Sequence, residues 1–193
     1  SPKYPNLFVQ QLTLLGMLYD RQKQDSDHAI ELLGKAITVA ESYNDVDRSL
    51  LPVLYNNIGT VYYHKGEYDK SIVYIQEALD SRRNWLHENG FTDEDVWIAL
   101  YTGNLADEYA RKGDYDSAER HYLYCLDFYQ RLYPNRGKEI MHLLDALISV
   151  YQGQGKTDKV RENVELFSSI QLKTFLQEAQ GMTKRQRADL LGG

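Results

Sequence analysis

Three sets of side chains in this chain have the types and spacings to do chemistry. His121 and Cys125 stand four residues apart, one helical turn, the geometry in which an imidazole can take the proton of a thiol. Gly155-Lys156-Thr157 has the ending of a loop in which backbone N–H groups and a lysine cradle phosphates. Asn57 and Asn104 each offer an amide with a donor and an acceptor, able to hold the backbone of an extended peptide whatever its side chains. The first two sets fail on context. The glycine that should open Gly-x-x-x-x-Gly-Lys-Thr falls at Val150, and a helical pattern precedes it where a strand is needed. Cys125 falls at a small, buried position of a repeat, where Ala36 and Ala78 stand in neighbouring copies, so a structural thiol is expected. His28, His64, His87 and His142 show no metal-ligand spacing with one another or with the cysteine. No catalytic residue, metal or cofactor is therefore expected, and the chain reads as a non-enzyme.

The composition narrows the partners. Of 193 residues 42% are hydrophobic and 26% charged, enough to bury a core and unlike a disordered chain. The net charge is −6, and the densest basic cluster is Lys184-Arg185-Gln186-Arg187 near the C-terminus. Such a surface does not suit nucleic acid, because neutralising phosphates takes many clustered cations. No apolar run approaches the ~20 residues that span a bilayer, and Ser1-Pro2-Lys3-Tyr4-Pro5 lacks the charged-then-apolar pattern of a signal peptide. No nucleic-acid or membrane partner is expected, and the expected address is cytoplasmic; a single cysteine fits a reducing compartment.

The elements that must position the amides come from internal repetition. Asn57-Ile58-Gly59-x-x-Tyr62-x-x-Lys65-Gly66-x-Tyr68-Asp69-x-Ser71 is written again as Asn104-Leu105-Ala106-x-x-Tyr109-x-x-Lys112-Gly113-x-Tyr115-Asp116-x-Ala118. With Tyr19, Tyr62, Tyr109 and Tyr151 as markers, the separations are 43, 47 and 42 residues, and four units fit. Each first helix carries an apolar residue, a small residue and the tyrosine: Leu15-Gly16-Tyr19, Ile58-Gly59-Tyr62, Leu105-Ala106-Tyr109, and Leu147-Ile148-Tyr151 without the small one. Small residues let helix backbones approach, so Gly59 reads as a packing contact despite its ~1 kcal/mol propensity cost. Turns follow at Lys65-Gly66, Lys112-Gly113 and Gly153-Gln154-Gly155, with glycine suited to the left-handed end of a helix. Second helices are expected from near Asp69, Asp116 and Thr157, residue types that cap free amides. Their apolar faces read Ser71, Ile75, Ala78, Leu79; Ala118, Tyr122, Cys125, Leu126; Ala29, Leu33, Ala36, Ile37 after one residue inserted in the first turn; and, less regularly, Val160, Val164, Phe167. Asn89-Gly90 should end the second helix of unit two, and Thr92-x-x-Asp95 resembles a capping box for the next. Gln171 to Gln180 continues a helix, Gly181 breaks it, and Thr183 to Leu191 reads as a short cap over the exposed end of the array.

These residues resemble the tetratricopeptide repeat, over roughly residues 7 to 170. The resemblance implies an all-α, right-handed α-solenoid: a single array over 1–193, with units at about 7–43, 47–89, 93–133 and 137–170 and a C-terminal extension or cap at 171–191. The units are longer than the usual ~34 residues and are similar to those of kinesin light chains, of bacterial peptide-sensing regulators and of arrays preceding CHAT-type protease domains.

In such a stack the first helices line a concave face. The residue before the apolar-small pair points into that face, and in peptide-binding members an asparagine there grips a peptide backbone. The resemblance implies this role for Asn57 and Asn104, with Leu14 and Ala146 at the matching places in units one and four. Asn56, Tyr63, His64, Asp107 and Arg111 are expected beside them, with Gln10, Thr13, Met17, Arg21, Thr60, His142, Asp145 and Ser149 along the same faces. Binders of chaperone tails hold two carboxylates with Lys, Asn and Arg. Only Asn57 matches that clamp, while Thr13, Met17, Leu100 and Asn104 depart, so a chaperone C-terminus is not expected. The function implied is a non-catalytic scaffold holding a peptide or protein segment. The alternative is the regulatory array of a larger bacterial protein, either a CHAT-type protease or a peptide-sensing regulator, the latter with a helix-turn-helix ahead of the array that this sequence lacks. An uncapped end leaves self-association open.

Overall fold

A computed structural model describes residues 4–23 and 25–181. These residues form an all-α helical-repeat solenoid with no strand among them. The helices are α1 (Pro5–Leu18), α2 (Ser26–Ser42), α3 (Leu50–His64), α4 (Tyr68–Glu88), α5 (Val96–Lys112), α6 (Tyr115–Leu132), α7 (Gly137–Gly153) and α8 (Thr157–Gly181). The chain divides into two compact units, Ser1–His121 and Tyr122–Gly193, with the division inside α6.

In the first unit α1 packs on α2 and α3 on α4, while α2 also packs on α3 and α4 on α5. One core gathers Ala29, Leu33, Ala36 and Ala40 of α2 against Leu51, Leu54, Ile58 and Val61 of α3. A second gathers Ile72, Ile75, Leu79 and Leu86 of α4 against Ile98, Tyr101 and Leu105 of α5. The small residues set the approach of the helices. A Cβ on Gly59 would stand 2.8 Å from Ile75 Cγ1, and one on Gly16 would stand 2.9 Å from Leu33 Cγ. Asn6 anchors the start of α1: its Nδ2 donates to Asp45 O at 3.0 Å, and its Oδ1 accepts from Asp47 N at 2.9 Å.

The turns show where local rules hold and where they give way. Gly66, Gly113 and Gly155 all lie at φ between 71° and 79°, the left-handed region where a Cβ is disfavoured. Unit one has no such glycine; its inserted residue is absorbed by a π-helical turn, Tyr19–Lys23, the usual form of a one-residue helical insertion. The expected caps at Asp69 and Asp116 are corrected. Each lies inside the first turn of its helix, and α6 is capped from Asp114, whose Oδ1 accepts from Ser117 N at 3.1 Å. Thr92 does not cap α5; Asp95 does, its Oδ1 accepting from Trp97 N and Ile98 N, because Arg82 fixes its carboxylate with two hydrogen bonds of 3.0 and 2.8 Å. Helix α4 ends at Glu88 as the Asn89-Gly90 pair indicated. Its added last turns are packed locally, with Arg82 over the Trp85 ring and Trp85 stacked on Phe91.

In the second unit α7 packs on α8, and Ile170 and Thr174 lie against Gly137. Residues 171–181 continue α8 without a break. Val164, expected on its buried face, is exposed, because the α7-facing stripe runs through Phe167, Ile170 and Thr174 instead. The expected cap at 183–191, the basic cluster at 184–187 and residues 1–3 lie outside the described residues.

Candidate functional site

One face of α1, α3 and α5, all within the unit Ser1–His121, carries the polar residues singled out by register. Spacings of three and four residues put Asn56, Asn57, Thr60, Tyr63 and His64 on one stripe of α3, and Asn104, Asp107 and Arg111 on one stripe of α5. The fold joins these stripes side chain to side chain. Asn104 Nδ2 donates to Asn56 Oδ1 at 2.8 Å, and Arg111 Nε donates to Tyr63 Oη at 2.9 Å. Toward α1, Asn57 Nδ2 reaches Met17 Sδ at 3.7 Å, while His64 Nδ1 lies 2.7 Å from Oδ2 of Asp20, whose side chain is nearly buried.

The asparagines are half-buried and partly committed to the neighbouring helix, rather than free groups on an open surface. Each keeps capacity. Asn57 Oδ1, Asn104 Oδ1 and one N–H of each amide have no hydrogen-bond partner among the described residues. Tyr63 is likewise half-buried and sits at a junction, its ring also 5.9 Å from that of Tyr68. Asp107 is half-buried and engaged within the fold. His142, Asp145 and Ser149 lie exposed on α7 in the other compact unit. Beside Asn57, the side chains of Val9, Thr13, Leu14 and Met17 of α1 and of Val53 and Leu54 of α3 enclose an apolar recess of about 240 Å³. Leu14, at the register position that Asn57 and Asn104 hold in the next units, forms part of its wall.

The other candidates take structural places. His121 stacks on Tyr109, ring centroids 5.5 Å apart, and burial pushes its imidazole below the usual value. Cys125 is buried. Lys156 and Thr157 lie at the α7–α8 turn. Among the described residues no three His, Cys, Asp or Glu side chains gather as a metal site, and no helix is long and apolar enough to cross a membrane.

Sequence reasoning missed two polar pairs. One is Asp20 with His64; Asp20 falls in the inserted turn, whose path no spacing rule specifies. The other is Glu108 with Ser71. Glu108 is 2% exposed, its Oε2 has no partner, and its Oε1 lies 2.5 Å from Ser71 Oγ. The signal was present: Glu108 interrupts a register position that reads Leu18, Val61 and Val150 in the other units.

A family model described as tetratricopeptide repeat matches residues 10–84 and 50–131. No curated protein matches the chain in sequence. Among solved structures, BtubC from P. vanneervenii is 21% identical with a TM-score of 0.78, over 94% of this chain and 68% of that one. A putative kinesin light chain of Podosopora anserina with nearly identical TPR-like repeats is 15% identical, TM-score 0.69, over 86% and 76% of the two chains. The apo form of RapI is 13% identical, TM-score 0.73, over 92% of this chain and 61% of that one. At these identities the likeness is one of fold.

Proposed function

The chain belongs to the tetratricopeptide-repeat family, a fold of protein-interaction scaffolds, and from that premise we propose that the α1–α3–α5 face binds an extended peptide or protein segment. The observation that carries this reading is the pair of half-satisfied amides at one register, Asn57 on α3 and Asn104 on α5. A ligand backbone supplies the alternating C=O and N–H groups that would complete them. The apolar recess beside Asn57 suits one hydrophobic side chain of the same ligand, and Tyr63, His64, Asp107 and Arg111 would contact its polar groups. Asn56 acts by orienting Asn104.

Binding to a labelled library of random peptides, read by fluorescence anisotropy, tests the reading. A net hydrogen bond of ~1 kcal/mol is about fivefold in affinity, so Asn57→Ala is expected to weaken selected peptides about fivefold while the fold stays intact by circular dichroism. Asn104→Ala should weaken them more, because it also frees Asn56. Selected peptides that bind both variants as tightly as the native chain would remove the two amides from the mechanism.

A further inference from the structure

The recess beside Asn57 differs from the rest of the face in what its walls offer. Val9 and Leu54, each 1% exposed, form its floor, and Leu14 stands at its rim, 72% exposed, with half-buried Val53 on the α3 side. Thr13 Oγ1 donates to Val9 O at 2.7 Å and Thr60 Oγ1 to Asn56 O at 3.0 Å, so the hydroxyls of this stretch keep their protons within their own helices. Helix α1 carries no charged side chain, and α3 carries none but His64 at its last position. Such walls suit a neutral, apolar group. The recess, at about 240 Å³, is smaller than the ~300 Å³ at which drug-sized sites begin and larger than the ~150 Å³ that holds a benzene ring; it has the size of one large side chain. A helix ahead of α1 would pack elsewhere, on Phe8, Leu15 and Leu18, which match Leu51, Ile58 and Val61 of the α2–α3 core and do not line the recess.

Met17 belongs both to this wall and to the amide beside it. Its Sδ accepts from Asn57 Nδ2 at 3.7 Å, whereas Asn104 is held by an amide oxygen, Asn56 Oδ1, at 2.8 Å. A thioether is a weak acceptor on a side chain with three rotatable bonds. The pose of Asn57 therefore follows that of Met17, and an apolar group packed on Met17 fixes both. We propose, resting on the peptide-binding reading of this face, that the ligand carries one apolar residue of the size of Leu, Met or Phe seated in the recess, and that Met17 is the positioning residue coupling this seat to the Asn57 amide.

Peptides selected from the random library on the native chain, with each residue then replaced by alanine, test this by fluorescence anisotropy. One apolar residue per peptide is expected to lose about tenfold in affinity on replacement, ~1.4 kcal/mol. In the Asn57→Ala variant the same replacement should cost only about threefold, because coupled contacts are not additive. Met17→Leu keeps the wall at nearly constant volume and removes the acceptor; in its background the replacement should cost the same with or without Asn57, which a packing role alone for Met17 would not produce. Circular dichroism verifies the folding of each variant, and the alanine scan needs only the native chain. Peptides that Asn57→Ala and Asn104→Ala weaken, but that carry no apolar anchor or keep the anchor–Asn57 coupling in Met17→Leu, would overturn this proposal and leave the reading of the face standing. Peptides indifferent to both asparagine variants would overturn the two together.

Discussion

Ser71 has one hydroxyl proton and two acceptors in reach: Gly59 O at 2.7 Å and Glu108 Oε1 at 2.5 Å. A neutral Glu108 resolves the conflict by donating to Ser71 Oγ while Ser71 donates to Gly59 O. An ionised one leaves a buried charge with Oε2 unpartnered. Burial, with a smaller push from Asp107, raises the Glu108 carboxyl from 4.5 to about 7 against the opposing hydrogen bond to Ser71. Because the folded-state value lies above the unfolded one, the native chain binds the extra proton between these pH values. Stability should therefore fall as pH rises from about 4.5 to about 7, by at most ~3.5 kcal/mol at ~1.4 kcal/mol per pKa unit. Glu108→Gln keeps a donor toward Ser71 and should remove that slope, and Glu108→Val, which copies Val61 and Val150, should do the same. Urea unfolding of the native chain and both variants from pH 5 to 8 measures this; a native-minus-variant difference that does not change with pH would exclude it.

Glycines in the helices separate propensity from packing. Gly34, inside α2, has nothing within 4 Å of a built Cβ, so Gly34→Ala should stabilise by ~0.5–1 kcal/mol through helix propensity alone. At Gly59 the same Cβ meets Ile75 at 2.8 Å, and the bulkier Gly59→Val should cost ~1–3 kcal/mol by overpacking the α3–α4 contact. Opposite shifts of the urea midpoint are expected; a stabilised Gly59→Val would refute the close-approach reading. These glycines also show why the hairpins were legible in the sequence. Gly59, Gly66 and Gly113 repeat with their neighbours, and repetition marks a backbone requirement without any structure in hand. What was not legible depends on single contacts. Asp95 displaces Thr92 as the cap because Arg82, thirteen residues earlier, holds its carboxylate, and the Asn104 amide is half-spent because Asn56 lies a full unit away. Register placed the asparagines on one face, but it could not say how much of each amide the neighbouring helix already uses.

Stability in a helical-repeat chain is distributed through nearest-neighbour contacts, so it should be graded along the molecule. Helices α3 and α4 each pack against helices on both sides, and α5 packs on α4, through seams whose apolar residues are nearly fully buried. The second half of α8 contrasts with them: Leu172, Phe175 and Leu176 are exposed, while Ile170 and Thr174 still lie against Gly137 of α7. Helix interior amides can exchange by fraying there without breaking a core, whereas exchange from α3 to α5 requires opening one of two seams. Native-state hydrogen exchange read by mass spectrometry should therefore show slow exchange over 54–62, 71–79 and 98–106, and faster exchange over 171–177, with the boundary near Thr174. A bound peptide on the α1–α3–α5 face should slow exchange of α3 and α5 further while leaving 171–177 unchanged, because binding stabilises only the elements it contacts and those that open with them. Equal protection in α8 and α4 would show instead that the chain opens as one cooperative body, and the graded picture drawn from burial would fail.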